Sequence, residues 1–131
     1  MFLAAIFLAI IGIVGYFIYE NNFKALIPAE AKKLVNPIAP SAAVLQASKP
    51  VYLEQCANCH GETGKGNGPD AMMYDPSPSD FTDAAAMAKF TDGEFFYQIT
   101  EGKKPMPSFK KRLTQEQRWQ LVLFVRSFSK K

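Results

Sequence analysis

Apolar and polar residues are patterned in three different ways along this chain. From Phe2 to Tyr19 an 18-residue run carries no charge; as a helix it would reach about 27 Å, just spanning a hydrocarbon core. From Ile27 to Pro50 four prolines (Pro28, Pro37, Pro40 and Pro50) break up alanines and scattered aliphatics, with no sustained period. Beyond Pro50 the apolar positions recur at helical spacing. A short helix is predicted from about Val51 to Ala57. A second opens at Thr91 with Glu94 three residues on, carries Phe95, Phe96 and Ile99 toward a core, and stops at Gly102. The third repeats that opening with Thr114 and Gln117. Its stripe of Leu121, Val125 and Phe128 is widened by Trp119, Val122 and Phe124. No run alternates with period two, and glycine and proline fill the connections, so the fold class expected is all-α with long loops.

The first run reads as a single transmembrane helix. A cleaved signal peptide competes, but no basic region precedes the run, and it exceeds the usual apolar stretch of about 7–15 residues. The nearest small-x-small site, Ala29 to Ala31, also lies far downstream. The chain then divides into an anchor helix (1–23), a Pro/Ala-rich linker arm (24–47) and a compact domain (48–131). Tyr16, Tyr19 and Phe23 would sit at one membrane interface, with Lys24 just beyond. The prolines favour an extended arm that sets the height of the domain above the bilayer or lies along a partner. Lys24, Lys32 and Lys33 follow the run, and on charge alone they would keep the domain in the cytoplasm. The chemistry below argues for the other side.

Roughly 85 residues are left to build the core, and a domain that small buries only about 60% of its unfolded surface, so a buried cofactor would add apolar contact. The net charge of +3 and the absence of interleaved bases and aromatics argue against nucleic-acid binding. The charge is unevenly placed. Glu54 to Glu101 holds nine acids against Lys65 and Lys89, whereas from Lys103 onward nine bases face the single acid Glu116.

Both cysteines and the only histidine fall within Cys56-Ala57-Asn58-Cys59-His60. C-x-x-C-H is the pattern of covalent c-type haem attachment. The spacing puts both sulfurs on one side of a helical turn, each able to form a thioether with a haem vinyl group, and the next residue turns its imidazole to the iron. A thioredoxin-like dithiol would need a preceding strand, and a zinc site would need four ligands. Neither context is present in the sequence. The cofactor expected is one haem c bound through Cys56 and Cys59, with His60 as one metal ligand. With no second histidine, a methionine thioether is the natural sixth ligand. Met106 stands between Pro105 and Pro107, which stiffen the loop. Met72, Met73 and Met87 lack such a scaffold and fit the ordinary role of gap filler. The glycines from Gly61 to Gly68 do not make a phosphate loop, because Lys65 is followed by Gly66.

Taken together, residues 51–129 resemble a class I cytochrome c domain. The resemblance rests on Tyr52 four before Cys56, the Cys56 to His60 motif, and Gly61, Gly64, Gly66, Gly68 and Pro69. It continues with Pro76 to Phe81, Gly102 with Met106-Pro107, and a last helix ending Val125-Arg126-Ser127-Phe128. Many members carry glycine six before the first cysteine, where this chain has Pro50. The resemblance implies that the first and last helices cross closely, with Tyr52 against Phe124. It also implies a backbone carbonyl, from Pro76 or Pro78, accepting the Nδ1 proton of His60. Thioether attachment in the family takes place on the outer side of energy-transducing membranes. The localisation expected is therefore a bacterial cytoplasmic membrane, single-pass, with the haem domain on the periplasmic side. Lys103, Lys104, Lys110, Lys111 and Arg112 would ring the methionine side of the haem and steer a redox partner with an acidic docking surface.

The function expected is outer-sphere transfer of single electrons, with no catalysis by the chain itself. It would act as a tethered donor or as a fixed subunit of a respiratory or photosynthetic membrane complex, such as a nitric oxide reductase, a quinol-oxidising complex, a terminal oxidase or a reaction centre. A gas sensor or peroxidase is the alternative, and it requires an open or labile sixth position at the iron.

Overall fold

A computed structural model describes residues 5–15 and 27–130. Residues 5–15 are helical (α1). Six further helices follow: α2 (Ala29–Lys32), α3 (Ala42–Gln55), α4 (Ala57–His60), α5 (Ala84–Met87), α6 (Asp92–Glu101) and α7 (Gln115–Ser127), with one 3-10 turn at Ala71–Met73. Among the described residues there is no strand, only an isolated antiparallel bridge between Lys103 and Met106. The helical class expected from the periodicity is the class observed.

The membrane localisation is overturned. Among the described residues no helix is long and apolar enough to cross a membrane. The rest of the expected anchor, 1–4 and 16–23, lies outside the described residues. The single-pass membrane placement expected from the sequence therefore has no structural basis.

The two best-signalled helices sit where their caps put them. In α6 the Thr91 hydroxyl accepts from the Glu94 amide at 3.2 Å, and the Glu94 carboxylate accepts from the Thr91 amide at 2.8 Å. In α7, Thr114 and Gln117 make the same reciprocal pair at 3.1 and 2.9 Å. Each box satisfies two amide donors that a helix start would otherwise orphan. The first helix of the domain differs from expectation. It starts nine residues earlier, at Ala42, because the Ser41 hydroxyl accepts from the Val44 amide at 3.2 Å. Pro50 sits inside it, where its missing N–H withdraws only one ladder bond. Residues 42–47 of the expected arm are thus helical.

Helices α3 and α7 cross, and α6 leans on α7. Between them lies the core of Tyr52, Phe81, Phe95, Ile99, Phe109, Leu113, Trp119, Leu121, Val122 and Val125. The described part of the arm before Ser41 is folded onto this body through Ala31, Lys32 and Asn36. Ala31 is buried, and a Cβ on Gly93 would collide with its carbonyl oxygen, so only glycine lets α2 lie on α6 this closely. Lys32 reaches the buried Glu94 at 3.8 Å, and the Asn36 side-chain amide donates to the Trp119 carbonyl at 3.1 Å.

Candidate functional site

The cysteine motif is carried by one short turn. Cys56 ends α3 and precedes α4, Cys59 and His60 complete α4, and both cysteines are half-buried free thiols. Bonds from the glycine loop fix the turn. The amides of Gly66, Gly68 and Asp70 donate to the carbonyls of His60, Cys59 and Asn58 at 2.8, 3.1 and 2.9 Å. These are the carbonyls that a four-residue helix leaves open at its C-terminal end.

His60 is oriented by a carbonyl, as the resemblance implies, but the carbonyl belongs to Ser79. The Nδ1 to Ser79 oxygen distance is 3.1 Å. Neither Pro76 nor Pro78 takes this role. The Pro78 carbonyl instead faces Gly66, whose φ is +71° and where a Cβ would collide with that oxygen. The Ser79 carbonyl also lies close to Gly66, so a glycine there lets the 78–79 segment approach the cysteine turn. Because a carbonyl can only accept, Nδ1 carries the proton and Nε2 keeps its lone pair for a metal. Burial, the larger influence, lowers the His60 pKa below its ordinary value against the opposing pull of the Ser79 bond, which favours the neutral ring. Phe81 stacks on it at 4.4 Å between ring centroids.

Helix α3 braces the turn from behind. Tyr52 is fully buried, packs on Phe124 of α7 at 5.0 Å between centroids, and donates to the Gly61 carbonyl at 2.8 Å. The expected crossing of first and last helices is present, with Pro50 in place of the usual glycine.

The thiol chemistry separates the readings of the motif. Burial, with the neighbouring Cys59 second, pushes Cys56 up to about 12, and burial, with Asp70 second, raises Cys59. A redox dithiol works through a low-pKa thiolate, and this environment opposes one. Among the described residues no group of three or more His, Cys, Asp or Glu side chains is placed to hold a metal ion, so the zinc alternative has no complete donor set. Two thiols on one turn beside a neutral imidazole with a free Nε2 do fit a haem bound by two thioethers.

Met106 lies elsewhere in the chain. Lys103 and Met106 exchange both backbone bonds, at 3.0 and 2.7 Å, closing a tight loop. The Met106 side chain is half-buried and packs against the same core that Cys56 touches. It also lines a cavity of about 550 Å³ with Ile27, Tyr97 and Pro107, a cavity that none of Cys56, Cys59 or His60 reaches. Of the other methionines, Met87 is buried in the core, while Met72 and Met73 are 98% and 69% exposed. Around the loop, Lys104, Lys111 and Arg112 are exposed, and Lys110 pairs with Glu101 at 3.0 Å. Two residues were missed in the sequence. Ser79 gives no signal of its own, and the buried Arg118 is hidden among the bases that follow Lys103.

Comparison with known proteins bears on the family and the fold. A family model described as "Cytochrome C oxidase, cbb3-type, subunit III" matches residues 43–125. No curated protein matches the chain. Among solved structures, one similar chain belongs to the "Kuenenia stuttgartiensis reducing HAO-like protein complex Kustc0457/Kustc0458". It is 33% identical with a TM-score of 0.61, over 70% of this chain and 46% of that one. Another is the "KustC0563 c-type cytochrome", 34% identical with a TM-score of 0.55, over 62% of this chain and 95% of that one. This chain thus spans less than half the length of the first.

Proposed function

The chain belongs to the cytochrome c oxidase, cbb3-type, subunit III family and carries one haem c on Cys56 and Cys59, and we propose that it passes single electrons between redox proteins. Haem c supplies a one-electron iron couple when bound. We assign axial ligation to His60 through Nε2 and to Met106 through its sulfur. The observation that carries this reading is the His60 Nδ1 bond to the Ser79 carbonyl, because it fixes the tautomer that presents Nε2. Support for Met106 comes from its closed loop between two prolines and its packing on the core shared with Cys56. With His60 and Met106 both holding the iron, no position would be left for a substrate, and the chain would act as an electron carrier within residues 48–131.

The partners are redox proteins, in keeping with similar chains named as part of a protein complex and as a c-type cytochrome. The exposed bases flanking Met106 present positive charge to an acidic docking surface, and such an encounter weakens as salt screens it. The test is the oxidised absorption spectrum of the haem-loaded chain. A sulfur-to-iron charge-transfer band is expected in the wild type and absent from Met106→Ala. A wild-type spectrum without the band would overturn the assignment.

A further inference from the structure

Arg118 is 9% exposed, and among the described residues no carboxylate pairs with it. A buried guanidinium without a counter-charge must be satisfied by neutral acceptors. Arg118 Nη1 donates to the Thr100 hydroxyl at 2.6 Å, Nε donates to the Thr114 carbonyl at 3.4 Å, and the guanidinium lies 5.1 Å from the centre of the Phe96 ring. Thr100 is itself 7% exposed and faces the loop that carries Met106. Its carbonyl accepts from the Ser108 hydroxyl at 2.6 Å and from the Lys110 amide at 3.2 Å, while the neighbouring Ile99 carbonyl takes the Phe109 amide at 3.1 Å. Gly102 brings the two strands of chain together at the other end, where a Cβ would lie 2.6 to 2.8 Å from Pro107, Ser108 and Met106 backbone atoms.

We propose that Arg118, acting through Thr100 and Ser108, is a positioning residue that clamps the 103–110 loop so that the Met106 thioether holds the iron against competing ligands. The proposal rests on the assignment of Met106 as sixth ligand. The cation polarises the Thr100 hydroxyl, and the Thr100 backbone anchors Ser108 two residues beyond Met106. A loop fixed at both ends returns its sulfur to the metal each time the bond opens. With one end released, the open form lives longer and an outside ligand enters.

Imidazole serves as the probe. Titrated into the oxidised, haem-loaded protein, it bleaches the sulfur-to-iron band as it displaces the thioether. In Thr100→Val, which deletes the acceptor but keeps the shape, half-bleaching is expected at about tenfold lower imidazole, the size of effect when a buried charged donor loses its partner. Thr100→Ser restores the wild-type value. Ser108→Ala, at an exposed position whose acceptor keeps the Lys110 amide, shifts the midpoint in the same direction by about threefold and guards against a fold defect in the first variant. A wild type with the band, and variants that bleach at the wild-type concentration, would overturn the clamp while leaving the ligand assignment intact, even if unfolding shows the variants destabilised. A wild type without the band removes the assignment and the clamp together.

Discussion

The Tyr52 hydroxyl donates to the Gly61 carbonyl at 2.8 Å, bridging the haem-binding turn from the helix before it to the residue after it. The ring packs against both Phe124 and Phe128, at 5.0 and 5.2 Å between centroids, and the two phenylalanines also touch each other. In Tyr52→Phe the Gly61 carbonyl still accepts from the Gly64 amide, so the loss is held to about 1 kcal/mol. Tyr52→Ala removes the ring as well and should cost about 3–5 kcal/mol. Urea unfolding of the haem-loaded protein measures both.

The same phenol gives a pH signature. Burial, and secondarily Cys56, hold the Tyr52 pKa well above its ordinary value; with Cys56 bound as a thioether, burial acts alone. A group whose folded pKa is raised contributes its full stability below the unfolded value and loses it as pH climbs toward the folded one. Wild type should therefore lose stability relative to Tyr52→Phe above about pH 10. Melting temperatures of the two proteins, compared from about pH 8 to about pH 11, check it. Parallel curves would contradict the burial argument.

Thr114 opens the helix that packs across α3. Thr114→Ala should destabilise by about 1 kcal/mol, and Thr114→Ser should be close to neutral. The denaturation midpoint of the haem-loaded protein should fall accordingly.

Arg126 gathers the start of α6 onto the end of α7. Nε reaches Asp92 at 2.9 Å, Nη1 the Met87 carbonyl at 2.7 Å and Nη2 the Phe90 carbonyl at 2.5 Å, and the guanidinium lies 4.6 Å from the centre of the Phe95 ring. Arg126→Ala should cost roughly 2–4 kcal/mol. Arg126→Lys recovers little of it, since an ammonium lacks the fork that serves three acceptors. Equilibrium unfolding distinguishes the two expectations, and full recovery by lysine would show that charge alone matters.

Gly66 is the position where a single methyl should disturb His60. Gly66→Ala meets both a positive φ and the Pro78 carbonyl, and should cost at least about 1–2 kcal/mol. The segment 78–79 must move, so the Nδ1 proton resonance of His60, sensitive to its acceptor, should shift or vanish. An unchanged resonance would mean that the Ser79 carbonyl keeps its place despite the added methyl.

Helices α6 and α7 were readable because their signals are local: Thr91 with Glu94, Thr114 with Gln117, and Gly102 as a stop. The start of α3 was misread for the opposite reason. Pro50 looked like a boundary, and the true cap, Ser41, is followed by alanines that show no amphipathic stripe. The docking of the arm left no trace in the pattern because it depends on the Ala31 backbone meeting Gly93 across the fold. The cysteine turn was legible from its spacing. The acceptor for His60 was not, since it is a backbone carbonyl 19 residues away, which any side chain could carry. The burial of Arg118 depends on Thr100 and Phe96, on another helix.

Ile27 lines the same opening as Met106, whereas Phe128, at the other end of the domain, packs over Gly64 behind the cysteine turn. Ile27 in the arm and the residues after α7 are therefore unequal as points of attachment. A fluorophore, affinity handle or electrode linker joined at Ile27 would overhang the sulfur loop and obstruct traffic there. The same cargo joined after Ser129 would leave that approach clear.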